Sequence, residues 1–150
     1  MEMPQQLVKL RQHAILLLTR REHARFELTN KLLAKGYELP QVDQILDQLE
    51  AENLLSDKRF AECYIRSRAS KGYGPYRISM ELRERRIDEQ VVNEFLYHDW
   101  DWYERAVEVR RKRFGIEPVA DLKARAKQQR FLQYRGFSSE QINVAMRQND

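Results

Sequence analysis

The residues that come nearest to a chemical motif are Lys71-Gly72-Tyr73-Gly74-Pro75. Two glycines in G-x-G form beside a lysine could bare backbone N–H groups to a phosphate. A dinucleotide loop needs a third glycine, and Arg77 stands in its place. It also needs a preceding strand, and a Walker loop needs Gly-Lys-Ser/Thr, neither of which this sequence offers. The same residues suit a tight turn between helices, because Gly74 precedes a proline and is pushed out of the helical region. A further use is open: Lys71, Tyr73, Tyr76 and Arg77 could form an exposed contact surface.

The other reactive side chains form no constellation. Cys63 is the only cysteine, and His13, His23 and His98 lie far apart. No ligand spacing for a metal appears, and Ser67 lacks a nucleophile-elbow context. We therefore expect no catalytic residue, no metal and no cofactor, and so no enzyme. Cys63, with apolar neighbours on a helix, is expected to be buried or half-buried.

Charge is the stronger signal. The net charge of +4 is unevenly spread. Residues 57–88 carry 9 basic against 5 acidic side chains, and residues 101–136 carry 10 against 5. Residues 1–56 carry 7 against 8. Two basic blocks favour an anionic partner, with nucleic acid first. Arg66, Arg68 and Lys71 fall near the end of one helix, and Arg83, Arg85 and Arg86 near the end of the next. Complementing the helix dipole accounts for some of them. The run Arg110-Arg111-Lys112-Arg113 covers every side of a helix, so it is expected to be mostly solvated, with only one or two members able to face a partner. Lys123, Lys127 and Arg130 recur at i, i+4, i+7, a single face suited to lining a groove.

The elements that would position these residues follow a period of fifty. Lys35-Gly36-Tyr37 recurs as Arg85-Arg86-Ile87 and as Arg135-Gly136-Phe137. The same step joins Leu32, Leu82 and Leu132, then Val42, Val92 and Ile142, then Leu46, Leu96 and Met146. Several sets in one register argue for threefold duplication. We expect repeats over residues 1–55, 56–99 and 100–150. Within them, Thr19 to Glu22 and Ser138 to Gln141 read as capping boxes. Ser56 and Asp88 read as N-caps, Gly36 as a helix stop and Pro40 as a first-turn residue. Phe60, Phe95, Phe131 and Phe137 are assigned to the core. Trp100 and Trp102 are two apart, so one is expected at the junction of the last two repeats and the other against a partner. No segment alternates with period two. The fold expected is all-α, three tandem three-helix repeats forming an elongated, curved body. Three units of helices about 20 Å long would reach on the order of 60 Å.

Bulk properties agree. Charged residues make up 33% of 150, and the mean hydropathy is −0.77, so a water-soluble chain is expected. Its longest apolar run, Ala14–Leu18, is far short of a membrane span. With one cysteine and no signal peptide, a cytoplasmic protein is expected. A monomer that avoids membranes is also expected.

The strings Leu55-Ser56-Asp57-Lys58-Arg59-Phe60-Ala61, Tyr64-Ile65-Arg66-Ser67-Arg68, Lys71-Gly72-Tyr73-Gly74-Pro75 and Glu81-Leu82 resemble the central signature of the RecX family. Arg113-Phe114-Gly115, Asp121-Leu122-Lys123, Ala126-Lys127, Arg130-Phe131-Leu132 and Tyr134-Arg135-Gly136-Phe137 resemble that family's third repeat. Together they span roughly half the chain, and the first repeat matches only in pattern. The resemblance implies three tandem three-helix repeats. It also implies binding to the RecA filament on single-stranded DNA, in or near its helical groove. Inhibited filament growth, strand exchange, ATP hydrolysis and co-protease activity would follow. Weak, non-specific binding of single-stranded DNA is implied too, with double-stranded DNA a further candidate. For these contacts the sequence nominates Arg66, Arg68, Lys71, Tyr73, Tyr76, Arg77, Lys123, Lys127 and Arg130.

Two other functions compete. A helix-turn-helix DNA-binding regulator not directed at RecA would place a recognition helix in the major groove. The third helices here begin Gln41-Val42-Asp43, Glu89-Gln90-Val91 and Glu140-Gln141-Ile142. Acidic residues there would meet phosphates badly. An adaptor unrelated to DNA would be indifferent to salt and nucleic acid.

Overall fold

The structure is a computed structural model that describes residues 4–147. Among the described residues there are nine α-helices and no strand. They are α1 (Gln5–Arg20), α2 (Arg25–Ala34), α3 (Leu39–Ala51), α4 (Asp57–Ser70), α5 (Pro75–Glu84), α6 (Glu89–Tyr97), α7 (Trp102–Phe114), α8 (Leu122–Arg135) and α9 (Ser139–Arg147).

The fifty-residue register is a register of burial. Leu32, Leu82 and Leu132 are all fully buried, as are Val42, Val92, Leu46 and Leu96, with Ile142 and Met146 nearly so. The turn after the second helix of each repeat also recurs. Gly36, Arg86 and Gly136 all have positive φ, at 96°, 59° and 101°. Behind that turn, Ile87 and Phe137 are buried and Tyr37 packs on the core beside it.

The contacts divide the chain into two compact units. One holds Met1–Cys63 with Arg85–Ile87, the other Tyr64–Glu84 with Asp88–Asp150. In the first, Leu7, Leu10 and Ala14 of α1 pack on Leu28 and Leu32 of α2. Val42, Ile45, Leu46 and Leu49 of α3 complete the cluster. Each of these helices buries the apolar stripe that helical spacing dictates. Pro40 sits in the first turn of α3, as its lack of an N–H suits. Ser56 Oγ accepts from Arg59 N–H at 3.2 Å and caps α4.

The expected box at Thr19–Glu22 does not form. α1 runs on to Arg20, and the Thr19 hydroxyl donates to the Leu16 carbonyl inside it. α2 starts later, where Glu27 accepts from Ala24 N–H at 2.9 Å and Asp57 accepts from Arg25 N–H at 2.8 Å. Burial pushes the Asp57 carboxyl above its ordinary value, and that bond from Arg25 opposes the rise. Cys63 is exposed and not the buried thiol expected, because its neighbours Ala61 and Ile65 take the inward face of α4.

In the second unit, Asp88 accepts from Gln90 N–H, and Ser138 and Gln141 cap each other reciprocally at 2.8 and 3.2 Å. Trp102 is buried and its indole N–H donates to the last-turn carbonyl of Leu96 at 2.7 Å. Trp100 stacks on it at 5.2 Å. Phe60 and Phe137 are buried as expected, but Phe95 and Phe131 are only half-buried. Arg110, placed by its charge in a solvated run, is 2% exposed. It donates to Gln128 Oε1 at 2.8 Å and to the Ala145 carbonyl at 2.9 Å. Those partners sit on α8 and in the last turn of α9. The negative end of the α9 dipole thus faces a buried guanidinium, which offsets its desolvation.

Helices α5 and α8 meet end to end. Gly74 N–H donates to the Arg135 carbonyl at 2.7 Å, and Tyr76 N–H to the Gly136 carbonyl at 2.9 Å. Donors left open at the start of one helix are closed by acceptors left open at the end of another. The approach requires two glycines. A Cβ on Gly74 would lie 2.6 Å from the Gly136 carbonyl group, and one on Gly136 would lie 2.5 Å from Arg77 Cβ.

Gly74→Ala and Gly136→Ala should therefore each destabilise the chain by about 2 kcal/mol or more. Gly36→Ala has a similar φ but nothing within 4 Å of the added carbon. It should cost only about 1 kcal/mol, the price of the left-handed backbone alone. Urea unfolding of the three variants measures the difference.

His23 gives a pH test. It is 1% exposed, with Nδ1 3.0 Å from the Arg21 carbonyl and Nε2 2.8 Å from Lys31 Nζ. The ring is thus held neutral, donating to one and accepting from the other. Burial lowers its pKa below the usual histidine value, and the nearby cations Arg21 and Lys31 add to that. A depressed histidine pKa means the unfolded chain binds the extra proton first. Stability is then full above about pH 6.5 and falls as pH drops below it. His23→Gln should flatten the loss of stability between pH 7.5 and 5.5, read by urea unfolding at each pH.

Candidate functional site

The second compact unit gathers most of the nominated residues around the α4–α5 turn. Arg68 forms a two-pronged pair with Glu81, Nε to Oε1 at 2.9 Å and Nη2 to Oε2 at 2.8 Å. Tyr64 Oη donates to the same carboxylate at 3.0 Å, and Arg77 Nε lies 3.5 Å from it. Burial pushes the Glu81 carboxyl up, but these donors and the Arg68 charge outweigh it and hold the group below its ordinary value. Arg68 thus fixes α4 against α5, and its side chain is only 18% exposed.

Tyr73 is the hub of the turn. Its half-buried ring carries three guanidinium carbons, from Arg68 at 3.9 Å, Arg77 at 4.5 Å and Arg135 at 5.0 Å. Each such contact contributes about 0.5–2 kcal/mol. Arg135 also lies 4.9 Å from the Phe131 ring, and its Nη1 donates to the Lys71 carbonyl at 2.9 Å. The phosphate-loop reading of this turn fails, because the N–H groups of Gly74 and Tyr76 are already spent on α8. The turn is a structural joint whose outer edge leaves Lys71 and Tyr76 exposed.

Beside it is a cleft of about 600 Å³. Lys71 at the end of α4, Arg135 at the end of α8, and Arg105, Lys112 and Arg113 of α7 line it. Val109 and Phe131 supply apolar surface. Glu108, the one acidic residue in its lining, pairs with Arg105 at 2.9 Å. Arg105 also donates to the Ala69 carbonyl, and Arg113 lies 5.7 Å from the Phe131 ring. A second cleft of about 650 Å³, lined by Tyr76, Gln129, Gln133, Ser138 and Asn143, carries no charged residue.

The remaining nominated residues sit apart from the basic cleft. Arg66 is exposed on α4, and Lys123, Lys127 and Arg130 are exposed on α8, as their spacing implied. The α8 residues that do line the cleft are Phe131 and Arg135. Sequence reasoning missed Arg105 and Arg135, and did not single out Lys112 and Arg113 from the run of which one or two members could face a partner. A signal was there: Arg105, Val109 and Lys112 fall at i, i+4, i+7, the spacing noticed only on α8. Among the described residues no cluster could hold a metal, and no helix is long and apolar enough to cross a membrane.

Comparison with known proteins supplies the family. Residues 11–49, 56–96 and 99–146 match the first, second and third three-helix domains of RecX. The chain is 42% identical over 137 residues to "Regulatory protein RecX" of Halorhodospira halophila, covering 91% of this chain and 85% of that one. It is 43% identical to the protein of the same name from Pseudomonas entomophila, covering 90% and 88%. The crystal structure of RecX from Lactobacillus salivarius shares the fold, with a TM-score of 0.80 at 22% identity and 96% of each chain covered. With all three domains matched in order and relatives aligned over nine-tenths of its length, this chain belongs to the RecX family of regulatory proteins.

Proposed function

We propose that this chain regulates RecA by binding its filament on single-stranded DNA, in or near the helical groove, and restraining filament growth. Inhibition of strand exchange, ATP hydrolysis and co-protease activity follows from that restraint. Family membership over all three repeats carries the reading. The exposed cations of α4, the turn and α8 support it, because a nucleoprotein filament is a polyanion. The reading assigns no catalytic chemistry. Action as a monomer in the cytoplasm belongs to the same proposal.

The helix-turn-helix alternative has less support. Glu89 opens α6 and pairs with Arg83, and Glu140 in the first turn of α9 accepts from Tyr103. Carboxylates at those helix starts would repel the phosphates that flank a major groove.

The test adds the protein to RecA on single-stranded DNA and follows ATP hydrolysis. Wild type should suppress it. A variant with Arg66, Lys71, Lys123, Lys127 and Arg130 changed to Glu should stay folded by circular dichroism and lose most of the suppression. Arg68 is left intact because Glu81 depends on it. Unchanged hydrolysis at excess wild type would sink the assignment to RecA.

A further inference from the structure

We infer that the basic cleft between the end of α4 and helices α7 and α8 is a phosphate-gripping site for one nucleic-acid strand. The inference deepens the preceding reading and rests on it for the presence of a single strand. Five cations, Lys71, Arg105, Lys112, Arg113 and Arg135, line the cleft against Glu108 alone. Like charges held this close repel one another unless an anion lies among them.

The guanidiniums are also set in place. Arg135 is held by the Lys71 carbonyl and by the rings of Tyr73 and Phe131. Arg105 is held by the Ala69 carbonyl and Glu108. Arg113 lies over Phe114 at 5.4 Å and over Phe131. Each bond uses one or two of the five N–H donors of an arginine and leaves the others for a ligand. A guanidinium already ordered loses little freedom when it takes up a phosphate oxygen.

Shape selects the ligand. The charges line a concave space of about 600 Å³, into which a flexible strand can bend its phosphates more readily than a rigid duplex can. Five cations drawn from three elements line it, so more than one negative charge is needed to satisfy them. A phosphodiester chain carries one at every unit, whereas a peptide needs an unusual acidic run. Val109 and Phe131 give the sugar or base an apolar surface between the phosphate contacts.

The experiment uses the full chain, a fluorescent oligothymidylate and anisotropy at low salt. Lys112→Glu with Arg113→Glu should weaken binding by about tenfold or more and flatten its salt dependence. Both residues are exposed, so the unfolding curve should not move. If it does move, Lys71→Glu at the end of α4, also in the lining, gives the same readout. An oligomer with uncharged methylphosphonate links should bind wild type poorly, and a duplex of equal length should bind more weakly than the single strand. Binding unchanged in both variants overturns the inference. So does equal binding of the uncharged oligomer, or displacement of the oligomer by polyglutamate at equal charge concentration, which would make the cleft a peptide site. Failure of the broader reading shows elsewhere, as wild type that binds the oligomer but leaves RecA hydrolysis untouched.

Discussion

Gly74 and Gly136 come together with no room for a side chain on either, and that approach joins the start of α5 to the end of α8. Backbone meets backbone there: two N–H groups at the start of α5 close two carbonyls at the end of α8. The positive end of one helix dipole meets the negative end of another, so the contact is favourable beyond its hydrogen bonds. Holding Arg135 at this joint sets its guanidinium between Tyr73 and Phe131 and turns it toward the Lys71 carbonyl. One cation of the basic cleft, Arg135, is therefore placed by a contact that contains no charge.

Around this joint the unit handles its arginines in two ways. Arg110 is buried and surrounded by acceptors, Gln128 and the last carbonyls of α9. Its charge is used inside, to hold α7, α8 and α9 together. Arg113 and Arg135 lie over aromatic rings at the surface. A ring face orders a guanidinium without neutralising it, so the positive potential stays available to a partner. Glu81 marks the boundary between the two uses. By taking both prongs of Arg68 it converts that residue from a candidate contact into a structural brace.

Much of this was legible in the sequence because burial repeats. A step of fifty residues finds Leu32, Leu82 and Leu132 and the turns behind them, since each repeat must bury the same stripe. Pro40, Ser56, Asp88 and the Ser138–Gln141 pair declare helix starts through local hydrogen bonding alone. What depends on distant residues was not legible. Arg110 reads as solvated because Gln128 and Ala145 are far along the chain. Thr19 reads as a cap because the start of α2 is served partly from far away, by Asp57, 32 residues beyond Arg25, beside the local bond to Glu27. The cleft was half legible: Arg105 and Lys112 share a helical face by spacing, but only the fold brings Lys71 and Arg135 into the same cleft.

Hydrogen exchange at single amides tests the joint most directly. Gly74 and Tyr76 lie at a turn that sequence alone would leave open to water, and the account makes them donors in a closed backbone contact. Their amides should exchange as slowly as those in the middle of α8, at a rate set by cooperative opening of the whole unit. Exchange at the rate of an exposed loop, with α8 still protected, would show that the two glycines do not hold the helices together and would contradict the account.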